Sequence, residues 1–244
     1  MIRFFTEPSE VCGDAIRLSP EDAAHVRSLR LRPSELFVVC DGAGNDYICR
    51  LAGSGGDGSV AAIADKRASI GEPSARCSVY IACAKGDRLD YAVQKAVELG
   101  AFEIVLFPSA RCVAMPSDMG KKTARLRRIA LETAKQSGRG RVPPVLAADS
   151  FNAAVSQAAK AELALFCYEC EDKQTLKSAL TRKPGALPAS ISVVTGPEGG
   201  FEPSEAEAAK AAGLVTVTLG PRILRCETAP VAVLAAIMFW LGEM

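Results

Sequence analysis

Two Gly-Pro steps in the second half of the chain stand beside the residues best suited to chemistry. One lies in SVVTGPEGGFEPSEAE and the other in TVTLGPRILRCETAPVA, and each follows an apolar run typical of a strand and precedes a helical pattern. In a parallel α/β sheet such turns lie at the carboxyl ends of strands, where ligands usually bind. Gly196, Gly199 and Gly200 would let the backbone approach a ligand closely. We therefore expect a ligand site at these turns, with plain connecting turns as the alternative.

Charged side chains stand beside both turns. Glu198 follows the first, and Arg222, Arg225 and Glu227 follow the second, with Cys226 between the last two. A cysteine at the start of a helix can be a nucleophile, a metal ligand or a bystander, and the residues alone leave this open.

Several other classes of site are weakened by the composition. The chain has one histidine, His25, on which a Ser-His-Asp or His-rich zinc site would have to depend. Cys167 and Cys170 form one Cys-x-x-Cys without a second pair at matching spacing, so we predict no metal site. GSGGDG at 53–58 formally matches the dinucleotide fingerprint, but a strand-like run follows it, so it indicates a hairpin turn.

The charge balance and the hydropathy limit where the protein can be located and what it can bind. Lys plus Arg number 29 and Asp plus Glu 28, so a nucleic-acid surface would have to come from the distribution of charges. No signal-peptide pattern opens the chain, and the apolar run between Glu227 and Glu243 is short for a bilayer. We expect a cytoplasmic protein with no membrane association.

Strand and helix patterns divide the chain in two. Residues 1–71 show short strands and one helix from about Pro20, capped by Ser19, which predicts a small β-barrel. Residues 72–244 alternate strands with helices, which predicts an α/β domain with a largely parallel sheet. We expect a Ser204–Glu207 capping box in this region, and a terminal helix, apolar nearly all round, that is buried or faces a second subunit.

Four segments together resemble the RsmE family of SPOUT methyltransferases, which act on small-subunit ribosomal RNA. They are KGDRLDYAVQKAVELG, ETAKQSGRGRVP, GPEGGF and LGPRILRCETA, and HVRSLRLR with CDGAGNDYICRL is similar to that family's PUA-like N-terminal barrel. The resemblance implies a knotted trefoil SPOUT domain at 72–244, an RNA-binding PUA-like barrel at 1–71, and a homodimer that completes the active site.

The same resemblance implies S-adenosylmethionine as the cofactor and N3 of a uridine in the decoding region of 16S rRNA as the methyl acceptor. Carried onto this chain, the expected cofactor contacts are Thr195, Gly196, Glu198, Gly199, Gly200, Leu219, Gly220, Ile223, Leu224 and Arg225.

Methylation at N3 makes a demand on the site because that nitrogen must lose its proton before it attacks the methyl group. Arg225 can stabilise the uridine anion, and Glu198 is a candidate proton acceptor, with a structural role as its alternative. For the RNA, we expect contacts from basic residues in both regions, and from QSGRGR as a flexible basic loop. These residues are Arg3, Arg27, Arg30, Arg32, Lys85, Arg88, Arg139 and Arg141.

Two sites depart from the family pattern, of which the one at Pro33 and Ser34 is tolerable in a surface loop and the one at Cys226 favours another function. Cys226 replaces the usual Thr, and Pro33 and Ser34 stand where the family tends to have Gly. A Cys226 with a depressed pKa would support a uridine C5 methyltransferase that forms a covalent adduct. A non-catalytic rRNA-binding assembly factor is the other alternative. Because N3 is itself the nucleophile in the first reaction, that reaction needs no thiol, and Cys226→Thr should be near neutral.

Overall fold

The computed structural model describes residues 1–52, 59–113, 118–181, 185 and 187–244. The chain forms two compact units, of which the first comprises residues 1–72 and 132–142 and the second comprises residues 73–131 and 143–244. The segment 132–142, which the sequence boundaries place in the second domain, thus belongs to the first unit. The Gly-rich segment 53–58, predicted to be a hairpin turn, lies outside the described residues.

The first unit is built on a six-stranded mixed sheet in the order β1-β4-β5-β6-β3-β2. Its strands are β1 (Arg3–Phe5), β2 (Val11–Cys12), β3 (Ala15–Arg17), β4 (Phe37–Cys40), β5 (Asn45–Leu51) and β6 (Val60–Ala68). The β1–β4 pair is parallel and the other pairs are antiparallel.

Helix α1 (Pro20–Ser28) closes one side of this core. It begins as predicted, because the Ser19 hydroxyl accepts a hydrogen bond from the Asp22 N–H at 3.0 Å. Val26 of α1 packs with Ile16 and with an edge-to-face pair, Phe4 and Phe37, whose ring centroids are 5.6 Å apart.

The second unit alternates strands and helices, as predicted. Its strands are β7 (Arg76–Ala82), β8 (Glu103–Phe107), β9 (Val145–Ala147), β10 (Leu163–Cys167), β11 (Ser190–Thr195) and β12 (Val215–Val217). Its helices are α2 (Arg88–Glu98), α3 (Met119–Ser137, whose last residues belong to the first unit), α4 (Phe151–Ala158), α5 (Leu176–Leu180), α6 (Pro203–Ala211) and α7 (Thr228–Leu241).

These six strands form one sheet in the order β12-β10-β11-β7-β8-β9, and every pairing is parallel. Strands such as β8 and β11 are buried along most of their length, which explains their near-continuous apolar sequences. Because all strands run in the same direction, their carboxyl ends share one edge of the sheet.

Helix α6 begins differently from the prediction. The capping box joins Glu202 and Glu205, and the Glu202 N–H donates to the Glu205 carboxylate at 2.9 Å. Ser204 cannot be the cap because Pro203 already occupies the first helical position, which suits a residue without an N–H. The expected Ser204–Glu207 box is therefore wrong by two residues.

Candidate functional site

A cleft of about 210 Å³ opens at the carboxyl ends of three neighbouring strands, β12, β10 and β11. Its walls are the segments that follow these strands, namely 168–169 after β10, 196–200 after β11 and 218–224 after β12. The parallel topology brings together three separate segments that are spread over residues 168–224 of the chain. This is the edge at which open α/β sheets bind their ligands.

Two glycines shape the cleft. A side chain would not fit at Gly200, and a side chain at Gly220 would fill open space. Gly200 has φ +70°, and an added Cβ would lie 1.8 Å from Oε1 of Glu169. Gly220 has φ +110° and open space where a Cβ would stand. Both backbone conformations favour glycine, so the Gly-rich turns are a structural requirement of this cleft.

One wall of the cleft is apolar and open to solvent. Leu219, Ile223 and Leu224 line it, and Ile223 leaves 81% of its surface exposed. An exposed isoleucine at the edge of this cleft is suited to cover a flat apolar ligand.

Most of the residues predicted from the two Gly-Pro turns do line this cleft. Those that line it are Gly196, Glu198, Gly199, Gly200, Leu219, Gly220, Ile223 and Leu224. Thr195 does not, because it is fully buried and its hydroxyl donates to the Tyr80 carbonyl at 3.2 Å. Arg225 is exposed beside the cleft but is not one of its lining residues.

The third wall, after β10, was not predicted as part of the site. Tyr168 and Glu169 line it, and Oε1 of Glu169 accepts a hydrogen bond from the Phe201 N–H at 2.9 Å. The sequence shows β10 as a strand but does not show that β10 lies between β11 and β12. Had that strand order been known, the residues after Cys167 would have been candidates.

An ion-pair network crosses from the cleft to helix α2. Oε1 of Glu198 accepts a hydrogen bond from the Lys85 N–H at 2.9 Å and another from Arg88, whose Nε also lies 3.7 Å from Glu227. Burial of Glu198 disfavours its charged form, but the hydrogen bonds from Lys85 and Arg88 outweigh this, so its pKa lies below the usual value. Glu198 therefore joins the Gly-rich turn to the start of α2.

Cys226 is a protonated thiol. Burial raises its pKa to about 12, and the hydrogen bond to Glu227 and the negative charges of Glu198 and Glu227 act in the same direction. The expectation of a depressed pKa at this helix start is wrong because burial and two carboxylates outweigh any stabilisation of a thiolate. The covalent C5 route, which needs that thiolate, loses its support.

A second cavity, of about 630 Å³, lies beside the same network. The start of α2 and the start of α7 form its walls, and its lining residues are Lys85, Gly86, Asp87, Arg88, Tyr91, Glu227 and Thr228. Two predicted RNA contacts, Lys85 and Arg88, thus lie together, although Arg88 is already paired with carboxylates.

Two arginines of the first unit are structural. Arg3 leaves 9% of its side chain exposed and makes two hydrogen bonds to Asp46, at 2.8 and 2.9 Å. Arg139 leaves 3% exposed and makes two to Glu72, at 2.9 and 2.7 Å. Each guanidinium is held in a buried bidentate pair, which argues against the predicted RNA contacts of Arg3 and Arg139.

The QSGRGR segment is held closely and is not an open basic loop. The Glu72 carboxylate also accepts hydrogen bonds from the N–H groups of Gly140 and Arg141, at 2.9 and 3.1 Å. An added Cβ on Gly140 would lie 2.3 Å from the Ser69 side chain. These glycines serve close packing, so the predicted flexibility of this loop is not found. Of the remaining predicted contacts, Arg27, Arg30, Arg32 and Lys85 are exposed, and Arg141 is half-buried.

Within the described ranges, no group of three or more His, Cys, Asp or Glu residues could hold a metal ion. No helix in the same ranges is both long and apolar enough to span a bilayer.

Comparison with known proteins shows the family to which this chain belongs. Residues 72–238 match the family model described as an RNA methyltransferase domain. The ribosomal RNA small subunit methyltransferase E of Bacillus subtilis is 32% identical over 91% of this chain and 89% of its own. Its counterpart in Mycobacterium tuberculosis is 33% identical over 96% of this chain and 90% of its own.

A solved structure agrees with these sequence matches. The ribosomal RNA small subunit methyltransferase E of Neisseria gonorrhoeae, crystallised with S-adenosyl methionine, superposes with a TM-score of 0.83 at 31% identity, over 98% of this chain and 97% of that one. The chain therefore belongs to the RNA methyltransferase family, within the group of the ribosomal RNA small subunit methyltransferases E.

Proposed function

We propose that this protein transfers a methyl group from S-adenosylmethionine to N3 of a uridine in the decoding region of 16S rRNA in the small ribosomal subunit. The observation that carries the proposal is the glycine-shaped cleft at the ends of β10, β11 and β12, in a chain of this family. The cytoplasm, where ribosomes work, is the proposed location.

The lining of the cleft fits S-adenosylmethionine. The space at Gly220 admits close contact with the backbone, and Leu219, Ile223 and Leu224 offer an apolar surface to an adenine ring. Tyr168 and Glu169 complete the opposite wall. We assign cofactor contact to the predicted residues that line the cleft, while Thr195 supports Gly196 from beneath. When bound, S-adenosylmethionine supplies an electrophilic methyl group.

The protein must then favour the uridine anion that forms when N3 releases its proton. Arg225 remains the proposed cation for this task, since it is exposed and follows Leu224 of the cleft. Glu198 has a positioning role in this proposal, because its Oε1 is occupied by Lys85 and Arg88 and its lowered pKa makes it a weak proton acceptor. The N3 proton passes to solvent before the transfer, the N3 lone pair then takes the methyl group, and the donor would leave as S-adenosylhomocysteine.

Three further features are proposed from the family resemblance, namely the knot, the RNA-binding domain and the homodimer. We propose that the second unit carries a trefoil knot, and that the first is a PUA-like RNA-binding domain whose exposed Arg27, Arg30 and Arg32 contact RNA phosphates. We also propose a homodimer, formed through the outward side of α7. Phe239 on that helix is 74% exposed although the helix is apolar nearly all round.

Methyl transfer to small subunits from cells lacking this protein tests the proposal. We expect a new methyl group whose position stops reverse transcriptase, because N3 methylation blocks Watson-Crick pairing whereas C5 methylation does not. Arg225→Ala should lower turnover on these subunits while S-adenosylmethionine binding persists. A protein that binds the subunit but neither binds S-adenosylmethionine nor transfers methyl would instead be the assembly factor.

A further inference from the structure

The second cavity borders the proposed methyl-donor cleft through two contacts. Arg88, in the cavity wall, pairs with Glu198 of the cleft, and Cys226 of the cleft donates its S–H to Glu227 of the cavity wall at 3.2 Å. A molecule in the second cavity would therefore be a neighbour of a molecule in the first. This is the relation that a methyl acceptor must have to its donor.

The polar groups of the cavity complement the pairing edge of uracil. That edge presents an acceptor, a donor and an acceptor, namely O4, N3–H and O2. Glu227 offers a carboxylate acceptor that stays ionised, since hydrogen bonds and the charges of Arg88 and Arg225 outweigh burial and lower its pKa. Lys85 and Thr228, which line the same cavity, offer hydrogen-bond donors. Cytosine has no hydrogen on N3 and could not make this hydrogen bond to Glu227 when it binds.

A base is also held by stacking on a flat surface, and an aromatic ring of the cavity can provide that surface. Tyr91 lines the cavity and is 47% exposed, so a ligand can reach its ring. Lys95 lies over one face of the ring, 5.9 Å from its centroid, so a stacked base would take the opposite face. Single unpaired bases are commonly bound by stacking on such rings.

We propose that this cavity binds the uracil ring of the target nucleotide, stacked on Tyr91 with its N3 edge toward Glu227. The assignment rests on the proposed function and adds to it the residues that select uridine.

Kinetics of Tyr91 variants provide the first test. Tyr91→Leu removes the ring from an exposed position, and we expect kcat/KM for small subunits to fall by about 10- to 100-fold, as for a lost base stack. Binding of S-adenosylmethionine, measured by calorimetry, should stay within about twofold of wild type, since a tenfold change would require 1.4 kcal/mol of altered contacts. Tyr91→Phe keeps the ring and should restore most of the lost kcat/KM.

A photochemical cross-link provides a test that does not depend on turnover. Small subunits are reconstituted with 4-thiouridine at the mapped methylation position and irradiated with the protein and S-adenosylhomocysteine. We expect cross-linked peptides that contain residues 85–91 or 227–228. Cross-links confined to other segments, or none, together with an undiminished Tyr91→Leu enzyme, would overturn the assignment. Failure of wild type to methylate uridine N3 would instead overturn the proposed function, so the two failures are separable.

Discussion

Gly200 combines a left-handed backbone with a contact that leaves no room for Cβ. Gly200→Ala would place a methyl group 1.8 Å from Oε1 of Glu169, so this carboxylate must turn away and give up its hydrogen bond from the Phe201 N–H. We expect the variant to lose about 1 to 3 kcal/mol of stability from backbone strain and to bind S-adenosylmethionine at least about tenfold more weakly. Calorimetric titration and thermal unfolding measure the two effects.

Gly213→Ala is the matched control. Gly213 has φ +96° but no atom within 4 Å of an added Cβ, and it lies after α6, outside the residues that line the cleft. It should show a similar loss of stability with normal cofactor binding. Equal weakening of binding in both variants would show that strain alone, and not the Glu169 contact, explains the Gly200 effect.

Cys226 should be among the slowly alkylated thiols, together with the other buried cysteines such as Cys77 and Cys167. With its pKa raised to about 12, only about one molecule in 10⁴ carries the thiolate at pH 8. We expect iodoacetamide to modify the exposed Cys12 and Cys170 first, and the rate at Cys226 to rise with pH across the alkaline range. Cys226→Ser should retain methyl transfer. Rapid alkylation of Cys226 at neutral pH, with inactive Cys226→Ser, would revive the covalent route.

At the residue scale, the sequence indicated the two cleft walls that contain Gly-Pro steps. It indicated neither the wall after β10 nor the carboxylate partners of Arg3 and Arg139. Glycine and proline restrict the backbone locally, so their meaning can be derived from a short window. Whether an arginine binds RNA or a buried carboxylate depends on a partner far along the chain. Arg139 and Glu72 are 67 residues apart, and no spacing rule connects them.

Among the elements, the segment 138–141 depends on one carboxylate. Glu72 accepts hydrogen bonds from the Arg139 side chain and from two backbone N–H groups, so Glu72→Ala would leave a buried guanidinium and two amides without this partner. We expect a loss of about 3 to 5 kcal/mol of stability, typical of breaking a buried pair. Chemical denaturation of the full chain measures it.

Glu35→Ala removes an exposed carboxylate of the same unit, which accepts a hydrogen bond from the Arg32 N–H, and it should cost less than about 1 kcal/mol. Comparable losses in the two variants would contradict the central role of Glu72. Charge reversal at Arg139 should likewise reduce stability, so it is unsuitable as a probe of RNA binding.

Long periodic elements were predictable, and a short one was predictable where a turn marks its end, as the Gly-Pro step does for β12. Helices α2 and α7 carry enough turns to show their pattern, and α1 has its Ser-Pro start. Strands β2, β3 and β9 contain two or three residues each and were missed, because so short a segment has no measurable period. Their pairing is decided by neighbours in the sheet.

At the scale of the whole molecule, the outward side of α7 bears on the proposed homodimer. Phe239→Glu would place a charge on an apolar surface that a second copy is proposed to cover. We expect light scattering to show a dimer for wild type and a monomer for the variant at micromolar concentration, with methyl transfer lost in the monomer. Ile70→Glu, at an 86% exposed position of the first unit, should remain dimeric and active. A monomeric, active wild type would contradict the proposal.

The order of strands in the second sheet constrains how the chain can fold during synthesis. Strand β7 ends at Ala82, but its partner β11 begins only at Ser190. While the ribosome makes the intervening residues, at roughly 5 to 20 per second, the nascent chain can assemble β7 to β9 but must carry β7 with one unpaired, apolar edge. Such an edge lasts for several seconds and favours association with other chains. Folding yield should therefore depend on translation speed and chaperone supply more than on the stability of the finished protein.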